Sequence, residues 1–115
     1  MPKFEDGLRG YGYDIHRRDG FKCVYCGLDG SQWSNWLFLS VDHLLPQGHP
    51  DRENPAYKVT ACRFCNESEN RRVYPVDGKT PAQIVEMKKA AISRVRDEYH
   101  RFWVEHVASG ERGGK

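Results

Sequence analysis

The sequence predicts a small α+β domain pinned by one metal ion, and three observations carry that reading. Two Cys-x-x-Cys pairs, Cys23/Cys26 and Cys62/Cys65, stand at either end of residues 27–61, a wider interval than an ordinary zinc ribbon or finger uses. Between them an alternating run, Trp36 to His43, reads as a strand, with Leu37, Leu39 and Val41 on one face. After them, Thr80-Pro81 followed by Gln83 marks the start of a long helix: a threonine N-cap, a proline at the first helical position and a glutamine that closes a capping box.

At 115 residues and 38% hydrophobic content the chain, 1–115, is read as a single domain whose modest core needs a staple. Charged residues make up 30% and mean hydropathy is -0.79, yet an aromatic content of 12% argues for a folded chain. A formal net charge of +2 predicts only weak attraction to a polyanion, so any nucleic-acid partner has to be argued from a site. No run approaches the roughly 20 apolar residues a membrane span needs, and Met1 to Asp6 carries no signal-like apolar core. The expectation is a soluble cytoplasmic protein without a membrane partner. In that setting the four cysteines favour structural Zn²⁺ over two disulfides, and a thioredoxin-type redox pair would need one motif beside a βαβ pattern.

Taken in order, Tyr11 to Arg18 has helical spacing and stops at Asp19-Gly20. Phe21 to Gly27 forms a first knuckle, with Gly27 where the backbone needs positive φ. Leu28 to Asn35 reads as a loop, and Leu44 to Pro55, which holds Pro46, Gly48, Pro50 and Pro55, cannot be regular structure. Tyr57 to Ala61 returns as a partner strand. Cys62 to Cys65 forms the second knuckle, and a short helix is expected from Asn66 to Arg72, with Asn66 and Asn70 on one face. The domain core spans about 18–72 and the long helix about 80–108 on these patterns. Its apolar stripe contains Ile84, Ala91, Ile92, Val95, Tyr99, Phe102 and Trp103 and reaches Val107; its polar face carries Lys88, Lys89, Arg94, Arg96 and Arg101. Gly110 suits the exit, and Glu111 to Lys115 reads as a loose tail.

Closing both knuckles on one ion would press the end of the first strand against the start of the short helix, so that Asp42, His43 and Asn66 converge. A carboxylate and an amide oxygen are hard donors that suit Mg²⁺, Mn²⁺ or a similar divalent cation. A neutral imidazole can take a proton from water. Together they outline a one-metal phosphodiester hydrolase with His43 as general base. Singly, each has a plain structural use: Asp42 in a turn, His43 as a satisfied half-buried ring, Asn54 and Asn66 as caps.

The ordered set Arg18-Asp19-Gly20, Cys23-Val-Tyr-Cys26-Gly27, Val41-Asp42-His43-Leu44-Leu45-Pro46, Asn54 and Val59-Thr60-Ala61-Cys62-Arg-Phe-Cys65-Asn66 resembles the HNH endonucleases, the ββα-metal nucleases. The resemblance spans about half the chain. It implies a zinc-stapled, treble-clef-like ββα unit, with the long C-terminal helix added to it. In that unit Asp42 and Asn66 hold the catalytic cation, His43 activates water, and Asn54 braces the loop and orients the base. DNA is the implied partner. The chain departs from the usual pattern at Asn66, where many relatives have histidine, at Gly48-His49, where a Gly-Gly pair is common, and at Asn70, where a lysine is common. Phosphate contact then falls to Arg71, Arg72 and His49, although a dibasic pair is by default a solvated surface and His49 can be an ordinary loop residue. Two readings from other classes compete: a non-catalytic zinc module that binds nucleic acid or protein, and a structural zinc protein that forms a homodimer through Tyr99, Phe102 and Trp103 of the long helix.

Overall fold

The computed structural model describes residues 8–68 and 74–110. The expected tail from Glu111, and Asn70, Arg71 and Arg72, lie outside the described residues. In chain order the elements are α1 (Tyr11–Arg18), a single helical turn α2 (Trp33–Trp36), β1 (Leu39–His43), a 3₁₀ turn (Pro55–Tyr57), β2 (Lys58–Cys62), α3 (Arg63–Ser68), α4 (Pro81–Trp103) and a π-helical turn (Val104–Ala108). The fold is a small mixed α+β unit with a two-stranded antiparallel sheet and a long C-terminal helix.

The two strands pair with Leu39 opposite Cys62, Val41 opposite Thr60 and His43 opposite Lys58. All five residues of β2 are buried, because its outer edge is covered as well as its faces. There the Thr60 N–H donates to the Asp19 carboxylate at 2.8 Å and the Thr60 carbonyl accepts from the Val24 N–H at 3.0 Å. An edge that could template another strand is thereby closed by the end of α1 and by the first knuckle. The buried His16 ring, whose Nδ1 lies 2.8 Å from Thr60 Oγ1, fixes α1 to the same residue.

The structure departs from the sequence expectation at several points. The strand starts at Leu39 and not at Trp36, because Trp33 to Trp36 forms a helical turn anchored by the Asn35 side chain, which donates to the Asp29 carbonyl at 3.1 Å. Leu37 and Phe38 are consequently exposed, so the apolar alternation there does not mark a buried face. The helix expected from Asn66 begins at Arg63, since Cys62 is the last strand residue and the chain passes directly from strand to helix. And α4 buries Ile84, Lys88, Ala91 and Ile92 only, a stripe at i, i+4, i+7 and i+8. Past it Tyr99, Phe102 and Trp103 are exposed, so the apolar stripe outruns the core it was expected to cover.

The start of α4 follows its chemistry: Thr80 Oγ1 accepts from the Gln83 N–H at 3.1 Å and the Gln83 side chain accepts from the Thr80 N–H at 2.8 Å. Ile84 and Ile92 then enter one core with Leu44, Leu45, Val59, Ala61 and the cysteines. Ile84→Ala should cost about 2–5 kcal/mol, whereas Phe102→Ala, on the projecting part of the helix, should change stability by no more than about 0.5 kcal/mol. Urea unfolding of the two variants checks the contrast.

Candidate functional site

The first knuckle is a tight turn: Gly27 N–H donates to the Cys23 carbonyl at 2.9 Å, and Cys23 N–H to the Leu28 carbonyl at 3.1 Å. Gly27 has φ of 82°, a left-handed conformation that a Cβ would disfavour. The second pair straddles the β2–α3 junction. Val24 N–H, bonded to Thr60, brings the two together, and the ligating atoms of Cys23, Cys26, Cys62 and Cys65 all lie within 4.8 Å of one another. Cys26 Sγ and Cys62 Sγ are 3.8 Å apart. A tetrahedral zinc with Zn–S bonds of about 2.3 Å has sulfur–sulfur edges of about 3.8 Å, so the cluster fits a structural metal such as zinc.

The protonation of the sulfurs points the same way. Thiols of Cys62 and Cys65 donate to Cys23 and hold it far below the ordinary thiol range, while these same hydrogen bonds push Cys62 up to about 11 and Cys65 higher still. Mutual repulsion disfavours several thiolates at this distance when no cation lies among them. A divalent cation among them lets all four ionise.

At the end of β1 the sequence-predicted residues are placed as follows. Asn66, in α3, donates from Nδ2 to Ser40 Oγ at 3.0 Å and to the Val41 carbonyl at 3.3 Å, so its side chain lies against the strand just before Asp42. Asp42 is buried, and its Oδ2 accepts from the Tyr25 hydroxyl at 2.5 Å and from Lys88 Nζ at 2.7 Å. His43 is half-buried, with Nε2 3.7 Å from Glu53 Oε2. Burial, then the neighbouring Arg52, lowers its pKa and favours the neutral imidazole. Asn54 Oδ1 accepts from the Ala56 N–H at 3.0 Å and so caps the 3₁₀ turn; among the described residues it makes no hydrogen bond to His43. His49 Nδ1 accepts from the Asp51 N–H at 3.0 Å, inside its own loop.

Sequence reasoning assigned Lys88 to a solvated face of α4, and the structure corrects this. Its side chain is 9% exposed and that of Asp42 is 7% exposed, so the ion pair is shut away from water. A lysine inside an apolar stripe, at i+4 from Ile84 and i−4 from Ile92, was the available signal. Tyr25, in the first knuckle, is a buried donor to Asp42; burial and then the Asp42 carboxylate push its hydroxyl well above the ordinary tyrosine range. Arg18 is the last residue of α1, as expected, and its side chain also ties α1 to the sheet, donating to the Lys58 carbonyl at 2.6 Å and the Pro55 carbonyl at 2.9 Å.

These features define a small α+β chain with a four-cysteine cluster able to hold a metal and, beside it, a polar strand end roofed by a buried ion pair. Comparison with protein-family models, with curated proteins and with solved structures gives no match. Among the described residues no helix is long and apolar enough to cross a membrane.

Purified protein should contain one zinc per chain by elemental analysis, and Cys62→Ala should lose both the metal and the cooperative unfolding transition, because metal affinity here is folding energy. A folded, zinc-free Cys62→Ala protein would rule the staple out. Lys88→Met should destabilise the chain by about 3–5 kcal/mol in urea, since it leaves the Asp42 carboxylate buried without its counter-ion.

Proposed function

We propose that the chain is a metal-dependent endonuclease of the HNH type that hydrolyses phosphodiester bonds in DNA, with Zn²⁺ in the cysteine cluster as a structural ion and a treble-clef-like ββα core. The observation that supports this reading most is the Asn66 side chain lying against the backbone of Val41, next to Asp42-His43, which joins the two halves of the HNH-like motif across the zinc cluster. Asp42 and Asn66 would hold a divalent cation such as Mg²⁺ or Mn²⁺ through oxygens that the protein's own donors leave over, Asp42 Oδ1 and Asn66 Oδ1. Such a cation supplies charge stabilisation to the phosphate oxygens.

The rest falls to the chain. His43 Nε2 accepts the proton of a water molecule as that water's oxygen attacks phosphorus and the bond from phosphorus to the leaving sugar oxygen breaks. The lowered pKa of His43 keeps the ring in the accepting, neutral form near pH 7. Tyr25 and Lys88 fix the carboxylate of Asp42 from behind, as outer partners orient metal ligands elsewhere. Asn54 holds the loop that follows the strand by capping the turn that leads into β2.

A second reading, a non-catalytic zinc module that binds nucleic acid or protein, is favoured by one observation: Lys88 Nζ already neutralises Asp42. Plasmid cleavage separates the two. The nuclease reading expects nicking only when Mg²⁺ or Mn²⁺ is added, and His43→Ala should lower the rate by about 10²–10⁴ without changing zinc content. Cleavage by His43→Ala at the wild-type rate would refute the role of His43, and no cleavage by the wild-type protein with either ion would end the nuclease reading.

A further inference from the structure

The loop before β2 holds a group of charges that neither the metal cluster nor the base requires. Lys58 stands opposite His43 in the antiparallel register, which puts the two side chains on one face of the sheet. The Lys58 side chain is only 6% exposed, and a buried ammonium needs a partner. Its partner is the carboxylate of Glu53, 2.8 Å from Nζ, on a side chain that is 70% exposed. The other oxygen of the same carboxylate lies 3.5 Å from Arg52 NH1 and 3.7 Å from His43 Nε2. One surface carboxylate thus serves the Lys58 ammonium and the Arg52 guanidinium, with the His43 ring beside it.

It serves them incompletely. Arg52 Nε is buried and has no hydrogen-bond acceptor, and among the described residues it is the one buried side-chain atom in that condition. A carboxylate has two oxygens for a group of donors that outnumbers them, whereas a phosphodiester presents more oxygens around a tetrahedral centre. Lys58 is also held independently of Glu53. The Tyr11 ring lies 4.2 Å below Lys58 Nζ, and Arg18 grips the Lys58 carbonyl, so the ammonium keeps its place when the carboxylate swings into water.

We propose that Lys58, Arg52 and His43 line a phosphodiester-binding pocket in which the Glu53 carboxylate stands in for the ligand. The identity of the ligand rests on the nuclease reading: the diester seated there is a DNA backbone phosphate beside the base. Glu53 then acts as a built-in competitor that nucleic acid displaces on binding. Lys58 and Arg52 hold the phosphate, a task expected of Arg71, Arg72 and His49 from the sequence alone.

The test is fluorescence anisotropy of the full chain with labelled duplex DNA and no added divalent cation, so that cleavage does not intervene. Glu53→Gln removes the competing charge and should tighten binding by about threefold or more, a gain that misfolding cannot produce. Arg52→Gln should weaken binding alike for every sequence and reduce the salt slope by about 1, as should Lys58→Met if it folds. An unchanged affinity for Glu53→Gln, or an unchanged affinity and salt slope for Arg52→Gln, overturns the pocket. Thermal protection by inorganic phosphate alone, with DNA affinity insensitive to all three substitutions, would assign it to free phosphate and overturn the diester. The two readings fail separately: no cleavage by the wild-type protein with Mg²⁺ or Mn²⁺, beside a gain from Glu53→Gln, ends the nuclease and leaves the pocket, whereas no gain from Glu53→Gln beside metal-dependent cleavage that His43→Ala loses ends the pocket and leaves the nuclease.

Discussion

Four sulfurs within 4.8 Å of one another set the arrangement of everything else in this chain. The sheet has only two strands, and a lone two-stranded unit is marginal in water. The cluster compensates by joining a turn near the N-terminal helix to the junction where β2 becomes α3. Because that junction has no intervening loop, fixing Cys62 and Cys65 also fixes the direction in which α3 leaves the sheet. Asn66, one residue beyond Cys65, is carried to β1 by that constraint and bonds to Ser40 and Val41. The metal-holding cluster and the polar strand end are two consequences of one geometry.

The edge of β2 shows how economically a small chain can be closed. Thr60 receives bonds from three directions: its N–H goes to Asp19, its carbonyl takes the Val24 N–H, and its hydroxyl meets the His16 ring. Each partner comes from sequence far upstream, so the N-terminal segment is committed to the sheet by directional polar contacts as well as by Ile15. Unsatisfied at that depth, each of these groups would cost about 1–3 kcal/mol. Their mutual satisfaction lets a strand with lysine and threonine in it lie wholly buried.

What the sequence disclosed was local chemistry, and what it concealed was tertiary. Both knuckles, the Thr80–Gln83 capping box and the Tyr11 to Arg18 helix are written in residues a few positions apart, where spacing alone fixes geometry. The false strand start at Trp36 arose because period-two apolarity cannot distinguish a buried face from an exposed one, and Leu37 and Phe38 are exposed. Lys88 was hidden for the opposite reason: its partner Asp42 lies 46 positions away, and no local rule links them. The same holds for Glu53 and Lys58, whose meeting with His43 depends on strand register and on the loop that returns to it.

The division of labour at Asp42 gives the long helix a part in the site. Burying a carboxylate and an ammonium costs several kcal/mol for each, offset only when the pair meets with good geometry and further hydrogen bonds. Here Oδ2 takes both Tyr25, from the first knuckle, and Lys88, from α4, so the cysteine cluster, the strand end and the helix meet at a single oxygen atom. Moving α4 away would strip the counter-ion from the Asp42 carboxylate. The position of the helix and the surroundings of the strand end are therefore coupled. With Oδ2 taken by two donors of the protein, the cation proposed for this site would have only Oδ1 of Asp42 to bind.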